Sequence, residues 1–165
     1  MSVNPQQSFK TKASPERSLK SRAVAYLSRR EYSRAELAQK LSLHEPDSLK
    51  INALLDQLTL QGWQSDERFA TNTVNAKSSR QGRALIEHTL RKKGVDKELI
   101  ENIAQILAPT EFARACEVWQ RRFGFRPQDP SPQSYAKQAR FLISRGFQAD
   151  IVRKVLDTQR NQGNN

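Results

Sequence analysis

The sequence predicts an all-α protein, an elongated modular array of tandem three-helix repeats, and three observations carry that expectation. The first is a recurring set of apolar offsets. Around Val95 lie Leu90, Lys93, Gly94, Ile100 and Ala104; around Phe147 the same offsets give Leu142, Arg145, Gly146, Val152 and Leu156; around Tyr32 they give Leu27, Arg30, Glu31, Leu37 and Leu41. Each copy closes one apolar-periodic segment and opens another, as one helical hairpin used three times would. The second is composition: 36% hydrophobic and 27% charged residues favour stacked units with much exposed helix over a thick globule. The third is helix punctuation. Gly94 and Gly146 fit the left-handed cap that ends a helix without a Cβ clash, whereas Glu31 requires the first corner to turn differently.

Residues 1 to 13 are polar and basic without periodicity, and are expected as a disordered basic tail. The first repeat is placed at residues 14 to 64. Ser14-Pro15 reads as a helix start with proline in the first turn, followed by Leu19, Ala23, Tyr26 and Leu27 at helical spacing. Ser33 and Glu36 form a capping box that opens a second helix through Leu37 and Leu41. Asp47 is placed to cap a third, which runs to Gly62. The second repeat, 65 to 123, starts at Ser65 or Asp66, weakens between Ser78 and Gly82, and continues in helices near 82–93, 96–107 and 109–123. Asp96 caps one of these and Pro109 opens the next. Residues 124 to 134 hold three of the seven prolines and read as a linker. The third repeat, 135 to 160, offers two helices, and 161 to 165 is a frayed tail.

Charge bounds the partner. Residues 1–34 carry eight basic and two acidic side chains, residues 35–111 ten and eleven, and residues 112–165 ten and four. Two basic ends around a near-neutral middle imply a polyanion or an acidic protein surface. Lone Cys116 excludes an intramolecular disulfide, and no apolar run approaches membrane-spanning length, so a cytoplasmic chain with no membrane partner is expected. His44, His88 and Cys116 do not make a zinc pattern, and no glycine-rich phosphate loop is present. Cys116 sits on an apolar stripe with Phe112, Ala115, Trp119 and Phe123 and reads as a small buried apolar group. The chain is therefore expected to be no enzyme and to need no cofactor.

Two features remain that bind. Residues 33–63 resemble the middle helices of a winged-helix DNA-binding domain, which would require a β-hairpin after Trp63; instead SDERFATNT reads as a helix start. Asp66 is placed to cap that helix and Phe69 to bury in its first turn. The second feature is a row of basic groups at helix ends: Arg29, Arg30 and Arg34; Arg91, Lys92 and Lys93; Arg121 and Arg122; Arg140 and Arg145. These ten are the candidate contacts to phosphates or to a protein partner. The alternative is that they complement the negative ends of their own helices. Tyr26, Tyr32, Trp63, Phe69 and Phe147 are expected in the core rather than stacked on bases.

The segments LQGWQSDERFA (60–70), RQGRALIEHTLRKKGV (80–95) and KQARFLISRGFQADIVRKVL (137–156) resemble the RecX family of bacterial recombination regulators, in order and over most of residues 18 to 157. The resemblance implies an all-helical array of three-helix repeats that binds the RecA recombinase filament on DNA and restrains its ATPase and strand exchange. Together with the basic ends it leads to the expectation of a monomeric, non-catalytic regulator with weak affinity for single- or double-stranded DNA. A winged-helix transcription regulator is the alternative, and a general nucleic-acid chaperone a third reading.

Overall fold

The computed structural model describes residues 18–124, 129 and 131–162. Among the described residues nine α-helices follow one another: α1 (Leu19–Leu27), α2 (Arg34–Leu41), α3 (Ser48–Leu60), α4 (Asp66–Lys77), α5 (Arg83–Lys92), α6 (Lys97–Leu107), α7 (Glu111–Phe123), α8 (Pro132–Ser144) and α9 (Ala149–Gln162). A 3-10 turn, Ala108–Thr110, joins α6 to α7, and Pro109 lies in it. No strand occurs among the described residues. The expected tail at 1–13 and the helix start at Ser14-Pro15 lie outside the described residues, as do 125–128, 130 and 163–165.

Local chemistry sets the helix starts. Ser18, Ser33, Asp47, Ser65, Asp96 and Ser131 each accept a backbone N–H from the first turn of the helix that follows, which satisfies one of the donors a helix leaves orphaned. Ser131 opens α8 with Pro132 in its first turn, so the last residues of the expected linker are helical. The box at Ser33 is half formed. Its hydroxyl accepts from the Glu36 amide at 3.1 Å, but the Glu36 carboxylate turns to Arg30 and Lys93.

Three apolar cores divide the described residues. Ala23, Tyr32, Leu37, Leu41, Ile51, Leu55 and Leu58 join α1 to α3; Phe69, Ala70, Ile86, Leu90, Val95, Ile100, Ile103 and Leu107 join α4 to α6. Ala115, Val118, Trp119, Leu142, Phe147, Val152, Val155 and Leu156 join α7 to α9. The sequence places residues 111–123 with the second repeat, but the core assigns α7 to the third, which thereby gains its missing helix. Trp119 and Phe123 give α7 an apolar face that α8 and α9 cover, while α6 is already sealed by α4 and α5.

The corners differ from the sequence expectation in one respect. Gly94 (φ 72°) and Gly146 (φ 85°) do close second helices in the left-handed conformation. Val95 N–H reaches Leu90 O at 3.1 Å and Phe147 N–H reaches Leu142 O at 3.3 Å, the six-to-one bond of a Schellman cap. Tyr32, however, lies between the first and second helices of its unit, where no residue has positive φ. Spacing alone does not say which corner of a three-helix unit is meant, because any short corner with one buried residue gives the same offsets.

Adjacent units meet head to tail, twice in the same way. At the first joint the start of α2 docks on the α5–α6 corner: the Ser33 hydroxyl donates to Lys93 O at 2.6 Å, and Arg34 N–H donates to the Asp66 carboxylate at 2.7 Å. At the second the start of α5 docks on the α8–α9 corner: Gly82 N–H donates to Arg145 O at 2.8 Å, Ala84 N–H to Gly146 O at 3.2 Å, and Arg83 N–H to the Glu111 carboxylate at 3.0 Å. Asp66 is thus not the cap of its own helix. Like Glu111, it is the first residue of one unit's first helix and closes the second helix of the unit before. An arginine follows each acid. Arg68 donates to Gly62 O and Trp63 O, and Arg114 to Ser78 O and Gln81 O, covering carbonyls at the end of the preceding unit's last or first helix. Each fully buried leucine within a unit contributes about 1.5–3 kcal/mol, against about 1 kcal/mol net for a typical hydrogen bond. Apolar burial therefore holds the units, and polar contacts set how they join.

Two predictions follow from the joints. A methyl group at Gly94 would lie 2.5 Å from Ala35 Cβ, and at Gly146 2.4 Å from Leu85 Cβ, whereas one at Gly62 (φ 75°) meets nothing within 4 Å. Gly62→Ala should lose only the left-handed backbone term, roughly 1–2 kcal/mol. Gly94→Ala and Gly146→Ala should lose about 1–3 kcal/mol more through overlap, measured by urea unfolding. The second concerns acid. Burial raises the Glu36 carboxyl pKa, but hydrogen bonds and charge from Lys93 and Arg30 outweigh it and hold the group below its ordinary 4.5. A lowered folded pKa means that this contribution is complete above pH 4.5 and is lost as pH falls through the lower folded value. Backbone amides around Ser33–Glu36 should exchange faster on acidification through that window in the native chain, and Glu36→Gln should already show the faster exchange at neutral pH.

Candidate functional site

Nine of the ten basic residues expected as contacts fall into two groups, one at each joint, and Arg140 belongs to neither. At the first, Arg30 and Lys93 come from different units and share one carboxylate, Glu36, at 3.3 and 2.5 Å. Arg30 also lies over the Tyr32 ring at 3.6 Å, and Arg34 pairs with Asp56 at 2.8 Å. These three side chains are therefore engaged in holding the fold. Their neighbours in sequence, Arg29, Arg91 and Lys92, are exposed, and none pairs with a described residue. Because Arg30 and Lys93 converge on Glu36, the basic corners of the first and second units meet there, with two positive side chains on one carboxylate.

At the second joint the chemistry differs. Arg80, Arg121, Arg122 and Arg145 line an open cleft of about 530 Å³ together with Val118 and Phe141. Among the described residues no acidic side chain is in that lining. Arg121 donates to the Ser79 carbonyl and Arg80 to Ala76 O at 3.4 Å, while the Arg145 guanidinium lies 5.2 Å from the Phe141 ring centroid. Carbonyls orient a guanidinium without cancelling its charge, so the cleft keeps a concentrated positive potential. Arg140 is exposed on α8 outside this lining. Arg80 was not singled out from the sequence; as a lone arginine in a polar stretch between two helices it carries no local signal, and only the second joint brings it to the others.

Tyr32, Phe69 and Phe147 are buried and Tyr26 is partly so, but Trp63 is 50% exposed. The residues after Trp63 form α4, which fills the position a β-hairpin would need and removes the winged-helix reading. Cys116 packs beside the third core, and burial pushes its thiol pKa up, away from the thiolate a nucleophile needs. His44 and His88 are exposed, and among the described residues no group of three or more His, Cys, Asp or Glu side chains is placed to hold a metal ion. Among the same residues no helix is long and apolar enough to cross a membrane.

Three family descriptions match the chain in order: the first three-helix domain of RecX over residues 20–58, the second over 65–102 and the third over 110–156. The third match begins at α7, where the third core begins. A regulatory protein RecX from Leptothrix cholodnii is 44% identical over 142 residues, covering 86% of this chain and 89% of that one. Another from Ralstonia nicotianae is 41% identical over 139 residues, covering 84% and 86%. The crystal structure of RecX from Lactobacillus salivarius shares the fold, with a TM-score of 0.72 at 22% identity over 85% of this chain and 93% of that one. Three head-to-tail units, each matched in turn by one RecX domain, and relatives of this closeness along most of the chain place it in the RecX family of regulatory proteins.

Proposed function

We propose that the chain is a non-catalytic regulator that binds the RecA recombinase filament on DNA and restrains its ATPase, strand exchange and filament growth. Recombination, DNA repair and the SOS response are the settings in which it acts, in the cytoplasm and as a monomer. The observation that carries this reading is membership of the RecX family, and the two basic joints support it. They offer positive charge at successive places along a chain of units, as contact with a repeating nucleoprotein surface requires. Weak binding to DNA through the basic regions accompanies the protein contact, and no cofactor takes part.

Within this reading the exposed cations do the contacting and the paired ones hold the joint. Arg91 and Lys92 flank the first joint without belonging to its ion pairs, whereas Lys93 holds Glu36. The test is ATP turnover by the cognate recombinase on single-stranded DNA with this protein titrated in. Turnover should fall, and no change at stoichiometric excess would discard the proposal. Arg91→Glu with Lys92→Glu should weaken that inhibition about tenfold, steeply with salt, while far-UV circular dichroism stays as in the native chain; equal inhibition assigns these two side chains to solvation alone.

A further inference from the structure

We propose that the cleft at the second joint is a site for the sugar-phosphate backbone of single-stranded nucleic acid, and that a strand seated in it ties the second unit to the third. The assignment deepens the proposed action and rests on it only for the choice of nucleic acid as ligand. Its basis is the contrast between the joints. At the first, Arg30, Arg34 and Lys93 all meet carboxylates. At the second, four arginines gather around one concavity whose lining, among the described residues, holds no carboxylate. Gathering like charges costs repulsion that nothing in the lining relieves, and an incoming polyanion does relieve it. Guanidinium forks suit phosphate oxygens, which accept from several donors at once.

The floor narrows the ligand further. Val118 and Phe141 are apolar, and Phe123 stands edge-on to the Phe141 ring at 5.4 Å. A duplex keeps its base faces stacked inside and offers such a floor nothing, while a single strand brings exposed bases and sugars beside its phosphates. An acidic peptide would satisfy the arginines but leave the floor unused.

The cleft also spans two units. Arg80 precedes α5 in the second unit, whereas Arg121, Arg122, Phe141 and Arg145 belong to the third. A strand held from both sides adds attraction across a joint whose own contacts include Gly82 N–H to Arg145 O, Ala84 N–H to Gly146 O and Arg83 N–H to the Glu111 carboxylate. Occupation of the cleft and stiffness of the joint are therefore one equilibrium.

The experiment uses the full chain without recombinase, so its failure leaves the ATPase test standing. Fluorescence anisotropy compares labelled oligothymidylate, a duplex of equal length and polyglutamate. Oligothymidylate should bind tightest, and Arg122→Glu with Arg145→Glu should weaken it about tenfold or more with a shallower salt dependence. The neutral pair Arg122→Gln with Arg145→Gln should fall between. In native chain the oligonucleotide should slow amide exchange at Gly82 and Ala84, and in the reversed pair it should not. Unchanged affinity in both variants, or tighter binding of duplex or polyglutamate, overturns the site; binding that leaves Gly82 and Ala84 exchange unaltered overturns the tie between units.

Discussion

The whole array depends on a carboxylate that caps a helix in the preceding unit. Asp66 receives Arg34 N–H and Glu111 receives Arg83 N–H, each at the part-buried start of a second helix. The first N–H groups of a helix have no partner inside it, and leaving one buried and unmet costs about 1–3 kcal/mol. Supplying the acceptor from the next unit makes the end of one unit incomplete without its neighbour. Glu111 is only 2% exposed, a burial that an ionised carboxylate tolerates only when its oxygens are met. Here Arg83 meets them with its backbone at 3.0 Å and its guanidinium at 3.6 Å.

That arrangement explains why glycine recurs where it does. Drawing the start of one helix onto the corner of another brings backbones to a distance at which a Cβ has no room, so Gly94 and Gly146 serve two demands at once. They adopt the left-handed cap and they admit the neighbour. Gly82 serves only the second: a Cβ there would lie 2.3 Å from Gly146 O although its φ is ordinary. The two joints then diverge in their side chains. The first is laced by Glu36, Arg30, Lys93 and a buried Gln64 that reaches both Asp66 and Tyr32 O, whereas the second adds to its backbone contacts the pair of Glu111 with Arg83 and leaves Arg80, Arg121, Arg122 and Arg145 without a carboxylate.

Much of this was legible in the sequence because it is local. Ser33, Asp47 and Asp96 cap the helices they precede, and a hydroxyl or carboxylate before an apolar-periodic run is a signal that needs no knowledge of the rest of the chain. Gly94-Val95 and Gly146-Phe147 announce their corners for the same reason. What was not legible is relational. Asp66 looks like the start of its own helix, and only the fold reveals that it caps another. Helix α7 continues from α6 through a single 3-10 turn, so nothing nearby says that its apolar face belongs to α8 and α9. The basic residues could be listed by type, but Arg30 and Lys93 are fixed by one acid while Arg121, Arg122 and Arg145 meet Arg80, and sequence distance conceals both outcomes.

The repeated joint has one more property, its polarity. Each link presents a hook, the beginning of a second helix, and an eye, the glycine corner with its acid, and the two never interchange. Identical patches facing each other would close a pair and stop, whereas a hook-and-eye connection contains no rule for when to end. The number of links is accordingly a quantity that gene duplication or loss can alter without redesigning any contact, so the span such a molecule covers can change in whole steps of one unit.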